Sequence, residues 1–249
     1  MMLEFLLFTA GTAVGSFLNV CISRLPRQES VLYPASHCPL CGEKINRMDV
    51  IPVLGFLICR ARCRSCHGPI PWRYPLVEIA MGLVSLALFQ AYGLSMEFLI
   101  AGVFCAFLFC IAIIDYEQGF IFNRVLLVLA AVGLLTMFFA GQLSLPEMLA
   151  GFLLGGSPLL LLYLLLPGSI GGGDVKFAAV LGLWMGTLPI LLALWLAFCF
   201  GAICGICLLM AGRKSRKDPI PFGPFLSLGA AAAYFYAPQI FAACRSFWE

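Results

Sequence analysis

Charged residues are scarce in this chain: they make up 11% of its 249 residues, whereas 62% of the residues are hydrophobic. Soluble globular domains carry about 25% charged residues, so this composition excludes that class and favours a protein with several membrane spans. The chain has only four aspartates, Asp49, Asp115, Asp174 and Asp218. No convincing internal repeat is present, so we do not expect a repeat architecture.

Long apolar runs recur along the chain and predict about eight transmembrane helices. No basic residue precedes the first run, residues 1–22, and no small-residue cleavage site closes it. We therefore interpret it as a retained anchor rather than a signal peptide. Most runs approach the roughly 20 residues that a helix needs to cross the hydrocarbon core, and residues 175–185 form a shorter one. The others are residues 74–92, 98–114, 121–140, 148–166, 188–210 and 220–243.

The basic residues predict the orientation of these spans. Arg24 and Arg27 directly follow the first run, so the positive-inside rule places the N-terminus outside. With eight alternating spans, every one of the 15 Lys and Arg residues except Arg245 then lies on the cytoplasmic side. The same topology puts Asp115 and Asp174 on the cytoplasmic side at equal depth.

Two Cys-x-x-Cys pairs lie in the polar segment 24–73, which follows the first span. Four thiolates on two tight turns suit tetrahedral zinc in a closed structural site, and a cytoplasmic loop disfavours disulfides. We interpret His37 and His67 as solvated neighbours, with redox chemistry as the alternative role of the thiols. Cys204 and Cys207 repeat the spacing inside an apolar run, where cysteine is mostly a small buried hydrophobe. The predicted zinc ligands are Cys38, Cys41, Cys63 and Cys66.

Two carboxylates lie at the ends of apolar runs and are the candidate catalytic groups. Asp174 follows Gly171-Gly172-Gly173, where three glycines allow the backbone to bend freely, and Asp115 follows Ile114. An ionisable group at a membrane edge is costly, and is therefore a functional-site hypothesis. If both face one cavity they cannot both ionise cheaply. One would then draw a proton from water while the other donates to a carbonyl oxygen. The helix dipole favours Asp174 as the ionised member.

Other interpretations of the acidic residues remain open. Each aspartate could simply anchor a helix end at the membrane interface. Glu117, two residues beyond Asp115, is the second candidate for the partner of Asp174. Glu78 could contact a ligand amine, although pairing with a basic group is the safer interpretation.

These motifs together resemble the type IV prepilin peptidase (prepilin leader peptidase/N-methyltransferase) family over nearly the whole chain. The second aspartate lies in a G-x-G-D signature, and both cysteine pairs stand where that family has its cytoplasmic domain. One departure is Phe122, which stands before Asn123 where the family often has Pro. The stretches that carry the resemblance are Gly15–Val20, Ser23–Pro26, His37–Glu78, Ile114-Asp115, Gly171–Asp174 and Pro221–Leu226.

The resemblance implies an all-α polytopic membrane protein, with a small zinc-binding cytoplasmic domain between the first and second of about eight transmembrane helices. It implies an aspartyl endopeptidase of the bacterial cytoplasmic (inner) membrane, which cuts prepilins or pseudopilins after a Gly on the cytoplasmic face. Asp115 and Asp174 inherit the catalytic roles. Methylation of the new N-terminal residue with S-adenosylmethionine is also implied. Expected partners are these substrates and membrane lipid, without nucleic acid. The expected parts are residues 1–23, 24–73 and 74–249: first helix, zinc-binding domain and peptidase domain.

Two other function classes compete with this interpretation. A proton-coupled transporter with a zinc-stabilised cytoplasmic loop would also need intramembrane carboxylates and broken helices. It predicts carboxylates near the middle of the membrane and an inverted repeat. A zinc-bearing membrane scaffold without catalysis predicts that Asp115→Asn and Asp174→Asn variants behave like the unchanged protein.

Overall fold

The computed structural model describes residues 1–166, 168, 170–213 and 218–248. Across these residues the secondary structure is helical, with two isolated β-bridges and no β-strand, which confirms the all-α prediction. Two short 3₁₀ turns, Leu25–Arg27 and Arg47–Val50, lie between the first two helices. The α-helices are α1 (Met2–Arg24), α2 (Leu54–Ile58), α3 (Arg73–Tyr92), α4 (Met96–Gln118), α5 (Asn123–Ala140), α6 (Leu145–Leu165), α7 (Gly172–Met185), α8 (Thr187–Met210) and α9 (Gly223–Trp248).

Each predicted apolar run coincides with one of the helices other than α2. Over the described residues, 6 helices are long and apolar enough to cross a membrane: α1, α3, α4, α6, α8 and α9. With 14 residues, α7 is about 21 Å long, which is less than the hydrocarbon thickness of about 30 Å. The chain is therefore a multi-pass membrane protein, whereas eight crossings stay a prediction. Three of the basic residues that the sequence places on the cytoplasmic side, Lys214, Arg216 and Lys217, lie outside the described residues.

The chain divides into two compact units, Met1–Ala106 and Phe107–Glu249, and the division falls within α4. In the first unit α1 packs along α3. A Cβ at Gly11 would come within 2.6 Å of the Met81 carbonyl oxygen, and one at Gly15 within 2.7 Å of Glu78 Cα. The two helices are therefore antiparallel and approach closely through glycines four residues apart, as membrane helices often do.

Polar contacts fasten the segment that connects α1 to α3. The backbone N–H of Val53, directly before α2, donates to Glu78 Oε2 over 2.7 Å, and Ser16 of α1 also hydrogen-bonds Glu78. Within the segment, Arg64 forms an ion pair with Asp49 at 2.7 Å. The start of α2 is thus tied to α3, and through the same carboxylate to α1.

Close helix contacts through small residues also build the second unit. Gly151 of α6 and Gly182 of α7 face each other, and a Cβ at either position would overlap the other backbone. Gly155 faces Ala178 in the same pair, so α6 and α7 are antiparallel. Gly229 of α9 approaches α8 in a similar way.

In contrast, α5 and α7 run parallel. Near their starts, Lys176 Nζ donates to Asn123 Oδ1 over 3.1 Å. Further along, Trp184 Nε1 donates to the carbonyl of Leu129 over 2.8 Å. Because α4 ends in the short turn that leads into α5, the end of α4 and the starts of α5 and α7 lie at one end of the second unit.

Candidate active site and metal centre

Asp115 lies in the last turn of α4 and is only 4% exposed. Its Oδ2 accepts a hydrogen bond from the backbone N–H of Gly223, the first residue of α9, over 2.8 Å. The chain leaves the helix at Gly119, whose φ is +72° and whose N–H bonds the Asp115 carbonyl over 2.8 Å. A left-handed glycine is a common way to end a helix, so local structure and a distant helix together fix this carboxylate.

Asp174 is in the first turn of α7 and is 8% exposed. Its Oδ2 accepts the backbone N–H of Gly171 over 3.2 Å, the reciprocal contact of a capping box. Among the described residues its Oδ1, which is buried, has no hydrogen-bond partner. Buried polar atoms are nearly always hydrogen-bonded, and exceptions are found where a group has a chemical role. Asp174 therefore has one oxygen held in place and one available for chemistry.

The structure brings Asp115 and Asp174 close enough to interact electrostatically, at the end of the second unit where α4 stops and α7 starts. Their catalytic role stays a prediction. Two carboxylates this close cannot both ionise cheaply, and such a pair titrates as a unit. Each accepts one backbone N–H bond among the described residues, so hydrogen bonding does not distinguish the ionised member. The assignment of Asp174 to that role also stays a prediction.

The two alternative glutamates lie in different surroundings. Glu117 is exposed, and the carboxylate that interacts with Asp174 is Asp115, which favours Asp115 as the partner. Glu78 belongs to the first unit. Its partners in the described part of the chain are the Val53 N–H and Ser16 rather than the basic side chain that we expected.

Gly223 is the site residue that reasoning from the chemistry of the sequence missed. A Cβ there would come within 2.6 Å of Asp115 Oδ2, so only glycine permits this hydrogen bond without displacing the carboxylate. The stretch around it, Pro221–Leu226, entered only through the family resemblance. A glycine at the start of an apolar run was the available signal, but nothing in the sequence indicated which carboxylate it would meet.

The two Cys-x-x-Cys pairs fold into two turns with the same backbone hydrogen bonds. In the first, the N–H of Cys38 bonds the Glu43 carbonyl, and the N–H of Gly42 bonds the Cys38 carbonyl. The second repeats both bonds around Cys63. His67, with φ +58°, takes the place that Gly42, with φ +72°, has in the first turn. His67 thus has a backbone role in its turn.

The four cysteines fit a zinc ion. Their sulfur atoms all lie within 4.8 Å of one another, and Cys38 Sγ is 3.9 Å from Cys66 Sγ. Tetrahedral zinc with Zn–S bonds of about 2.3 Å needs sulfurs about 3.8 Å apart. Backbone N–H groups of Cys66 and Ser65 lower the pKa of the Cys63 thiol, whereas the pKa of the neighbouring Cys41 thiol is raised, as in a set of thiols that titrate as a unit. In the described part of the chain, neither histidine belongs to this group.

Comparison with known proteins gives two matching family models. The Bacterial Peptidase A24 N-terminal domain matches residues 9–92 and includes the four cysteines. The Type IV leader peptidase family matches residues 102–206 and includes both aspartates. With the apolar helices, these matches define the class of the protein, a peptidase embedded in a membrane.

Relatives of similar length are called prepilin leader peptidase/N-methyltransferase. The one from Bacillus subtilis is 31% identical, over 94% of this chain and 95% of its own length. The one from Burkholderia pseudomallei is 33% identical, over 93% of this chain and 84% of its own. The one from Aeromonas hydrophila is 32% identical, over 94% of this chain and 91% of its own length. The chain belongs to this family of bifunctional enzymes. No solved structure matches it.

Proposed function

We propose that the chain is an aspartyl endopeptidase that removes the leader peptide from type IV prepilins or pseudopilins. It cuts after a Gly on the cytoplasmic face of the bacterial inner membrane and then methylates the new N-terminal residue. Family membership supports the substrate class. The observation that carries the peptidase mechanism is the pair of buried carboxylates, Asp115 and Asp174, each held by a glycine N–H.

Peptide hydrolysis follows from a pair that shares one proton. The ionised carboxylate takes a proton from a water molecule, and the water oxygen attacks the carbon of the scissile carbonyl group. The protonated carboxylate donates its proton to the carbonyl oxygen. When the tetrahedral diol collapses, the C–N bond breaks, the leaving nitrogen takes a proton, and the two aspartates again share one. The free Oδ1 of Asp174 is suited to hold the water.

The position of the pair supports hydrolysis over proton-coupled transport. A transporter needs its carboxylates near the middle of the bilayer, where broken helices meet. Asp115 and Asp174 instead lie in terminal turns of α4 and α7. A helical substrate must unwind before it is cut. Helix ends near a membrane surface leave room for such an extended peptide to reach the two carboxylates.

Methyl transfer joins the freed α-amine to the methyl group of S-adenosylmethionine: the N–C bond forms, the S–C bond breaks and a proton leaves the nitrogen. The N-methyltransferase relatives support this second activity. The peptidase pair is built entirely in the second unit, so we assign no role in methylation to Asp115 or Asp174.

The proposed arrangement in the membrane has the N-terminus outside, eight crossings and both aspartates at the cytoplasmic end. Residues 24–73 form a cytoplasmic domain in which the four cysteines hold a structural Zn²⁺. A shell closed by four sulfurs leaves no open position for substrate, so the metal stabilises this domain and takes no part in hydrolysis. Residues 74–249 form the peptidase domain.

The test is a cleavage assay on the purified full chain in detergent with a prepilin substrate. Asp115→Asn and Asp174→Asn should each lower the rate at least about 100-fold, since a positioned general acid or base contributes roughly that much or more. The matched control is Glu117→Gln, two residues from Asp115, which should cut like the unchanged protein. Zinc content and thermal unfolding show whether each variant is folded.

Methyl transfer is measured in the same samples with labelled S-adenosylmethionine and a pre-cut substrate. Aspartate variants that methylate but do not cut would separate the two activities. If Asp115→Asn or Asp174→Asn cuts at the normal rate, the proposed pair is wrong. If Glu117→Gln abolishes cleavage instead, Glu117 replaces Asp115 in the mechanism.

A further inference from the structure

The segment that connects α1 to α3 exposes several large apolar side chains in and next to α2. Leu54, Leu57 and Ile58 lie on one face of α2 and are 55%, 62% and 54% exposed. Trp72, directly before α3, is 69% exposed, and its ring lies 5.0 Å from that of Phe56, on the buried face of α2. We name Leu54, Leu57, Ile58 and Trp72 the α2 patch. An exposed apolar patch of this kind marks an interaction surface.

A hydrogen bond fixes the depth of the α2 patch relative to a membrane helix. Val53, directly before α2, bonds Glu78 of α3, and Glu78 lies about 7.5 Å along the helix axis from Arg73, where α3 begins. On either side of Glu78, Leu76 and Ile79 are exposed, as expected of residues that face lipid. The start of α2 therefore lies level with the first apolar turn of a membrane span, not above it in water.

Two exposed basic residues follow α2. Arg60 and Arg62 are exposed, and in the part of the chain that the structure describes neither forms an ion pair with an acidic side chain. Arg64, by contrast, is paired with Asp49. Exposed apolar side chains, a tryptophan and exposed arginines within one short segment are the composition of segments that lie in the membrane interface and attract anionic lipids.

We propose that the α2 patch inserts into the interfacial layer of the bilayer at the end where α3 begins, with Arg60 and Arg62 on the phosphate groups of anionic phospholipids. Interfacial helices bury their apolar face about 5–10 Å into the boundary between headgroups and acyl chains, which is comparable with the distance of about 7.5 Å between Glu78 and the start of α3. Trp72 lies at the level where tryptophan is enriched in membrane proteins. The connecting segment is thus bound to the membrane surface, whatever substrate the enzyme cuts.

The fluorescence of Trp72 reports this insertion directly. Trp184→Phe, Trp195→Phe and Trp248→Phe leave Trp72 as the only tryptophan of the full chain. The protein is reconstituted in vesicles of phosphatidylcholine and phosphatidylglycerol whose acyl chains carry bromine close to the headgroup. We expect brominated lipid to quench Trp72 and aqueous acrylamide to quench it weakly.

Vesicle composition and substitutions of the two arginines test whether the patch prefers anionic lipid. Phosphatidylglycerol should increase the quenching of Trp72 by brominated lipid relative to vesicles of phosphatidylcholine alone. Arg60→Gln with Arg62→Gln should remove that increase, because the attraction between basic groups and an anionic surface is electrostatic. An increase that survives in this variant would overturn the assignment of the two arginines to lipid phosphates.

Paired variants separate insertion from a general change in folding. Leu57→Gln with Ile58→Gln should lower the quenching of Trp72, whereas Leu32→Gln, at another exposed leucine of the same segment, should leave it unchanged. A second protein that keeps only Trp195, an exposed residue of α8, should be quenched equally in every variant. If acrylamide but not brominated lipid quenches Trp72, the proposal is wrong. It is equally wrong if Trp72 becomes shielded only when a leader-bearing substrate is added, since the patch would then bind peptide.

Discussion

The backbone N–H of Gly223 donates to Asp115 Oδ2 over 2.8 Å, although 108 residues separate the two in the chain. The first residue of α9 thereby orients a carboxylate at the end of α4. A side chain at position 223 would come within 2.6 Å of the accepting oxygen. Residue 223 must therefore lack a Cβ for its N–H to reach the Asp115 carboxylate.

Gly223→Ala should lower the rate of prepilin cleavage strongly, by about 10-fold or more, because Asp115 must move from the position in which it faces Asp174. The assay compares kcat with KM, and we expect the loss in kcat. Gly205→Ala is the matched control: Gly205 lies in another apolar helix, α8, and the atom nearest to its Cβ, on Ile220, would be 3.8 Å away. A Gly223→Ala enzyme with normal kcat would show that this contact does not position the carboxylate.

The glycines before Asp174 should differ in their tolerance of substitution. A Cβ at Gly173 would lie 3.2 Å from that of Ile121, whereas at Gly172 the nearest atom, on Tyr163, is 4.0 Å away. Gly173→Leu should therefore push the start of α7 away from the turn that precedes α5 and reduce cleavage, while Gly172→Ala should retain most of the activity. Equal activity of the two variants in the cleavage assay would contradict this packing argument.

Zinc content should depend on the two turns that the Cys-x-x-Cys pairs form. Cys63→Ser should lose the bound zinc, because a structural site needs all four sulfurs, and metal binding in such sites is coupled to folding. Elemental analysis measures the zinc, and limited proteolysis of residues 24–73 measures the folding of the segment. Cys204→Ser is the control and should keep its zinc. Equal zinc content in the two variants would exclude the predicted site.

The contact between α6 and α7 should be sensitive to a single methyl group. In Gly151→Ala the new Cβ overlaps the backbone of Gly182, so the helices must separate. Overpacking of this kind lowers the free energy of unfolding by about 1–3 kcal/mol. Denaturation in mixed detergent micelles measures the change. Gly102→Ala, whose Cβ would be 3.9 Å from its nearest neighbour, should cost little. A Gly151→Ala protein as stable as Gly102→Ala would refute the close packing.

Hydrophobicity predicted where the helices lie better than where they end. We expected Asp115 to close the helix that contains residues 98–114, but α4 continues to Gln118, so that Asp115 lies one turn before its end. Hydropathy marks how far a helix lies in apolar surroundings, whereas the helix ends where a residue such as Gly119 takes a left-handed conformation. The proximity of the two aspartates was predictable because a simple topology brings their helix ends to one side.

The reason for the glycine run was not predictable. We expected Gly171 to Gly173 to let the backbone bend, but Gly171 is extended, with φ −76° and ψ 142°, and the next two residues are regular helix. Gly173 instead lies against Ile121, which is a fact of tertiary packing. The hydrogen bond from Gly223 to Asp115 was not predictable either, because it depends on tertiary packing and no local sequence pattern links Gly223 to α4.

The dependence of Asp115 on α9 has a consequence for the order of events during biosynthesis. A ribosome adds about 5–20 residues per second, so the 108 residues that separate Asp115 from Gly223 take about 5–20 s to make. During that interval α4 and α7 are both made, but the N–H of Gly223 that orients the Asp115 carboxylate does not yet exist. If the proposed pair carries out hydrolysis, we expect the nascent chain to be inactive as a peptidase until α9 has been inserted.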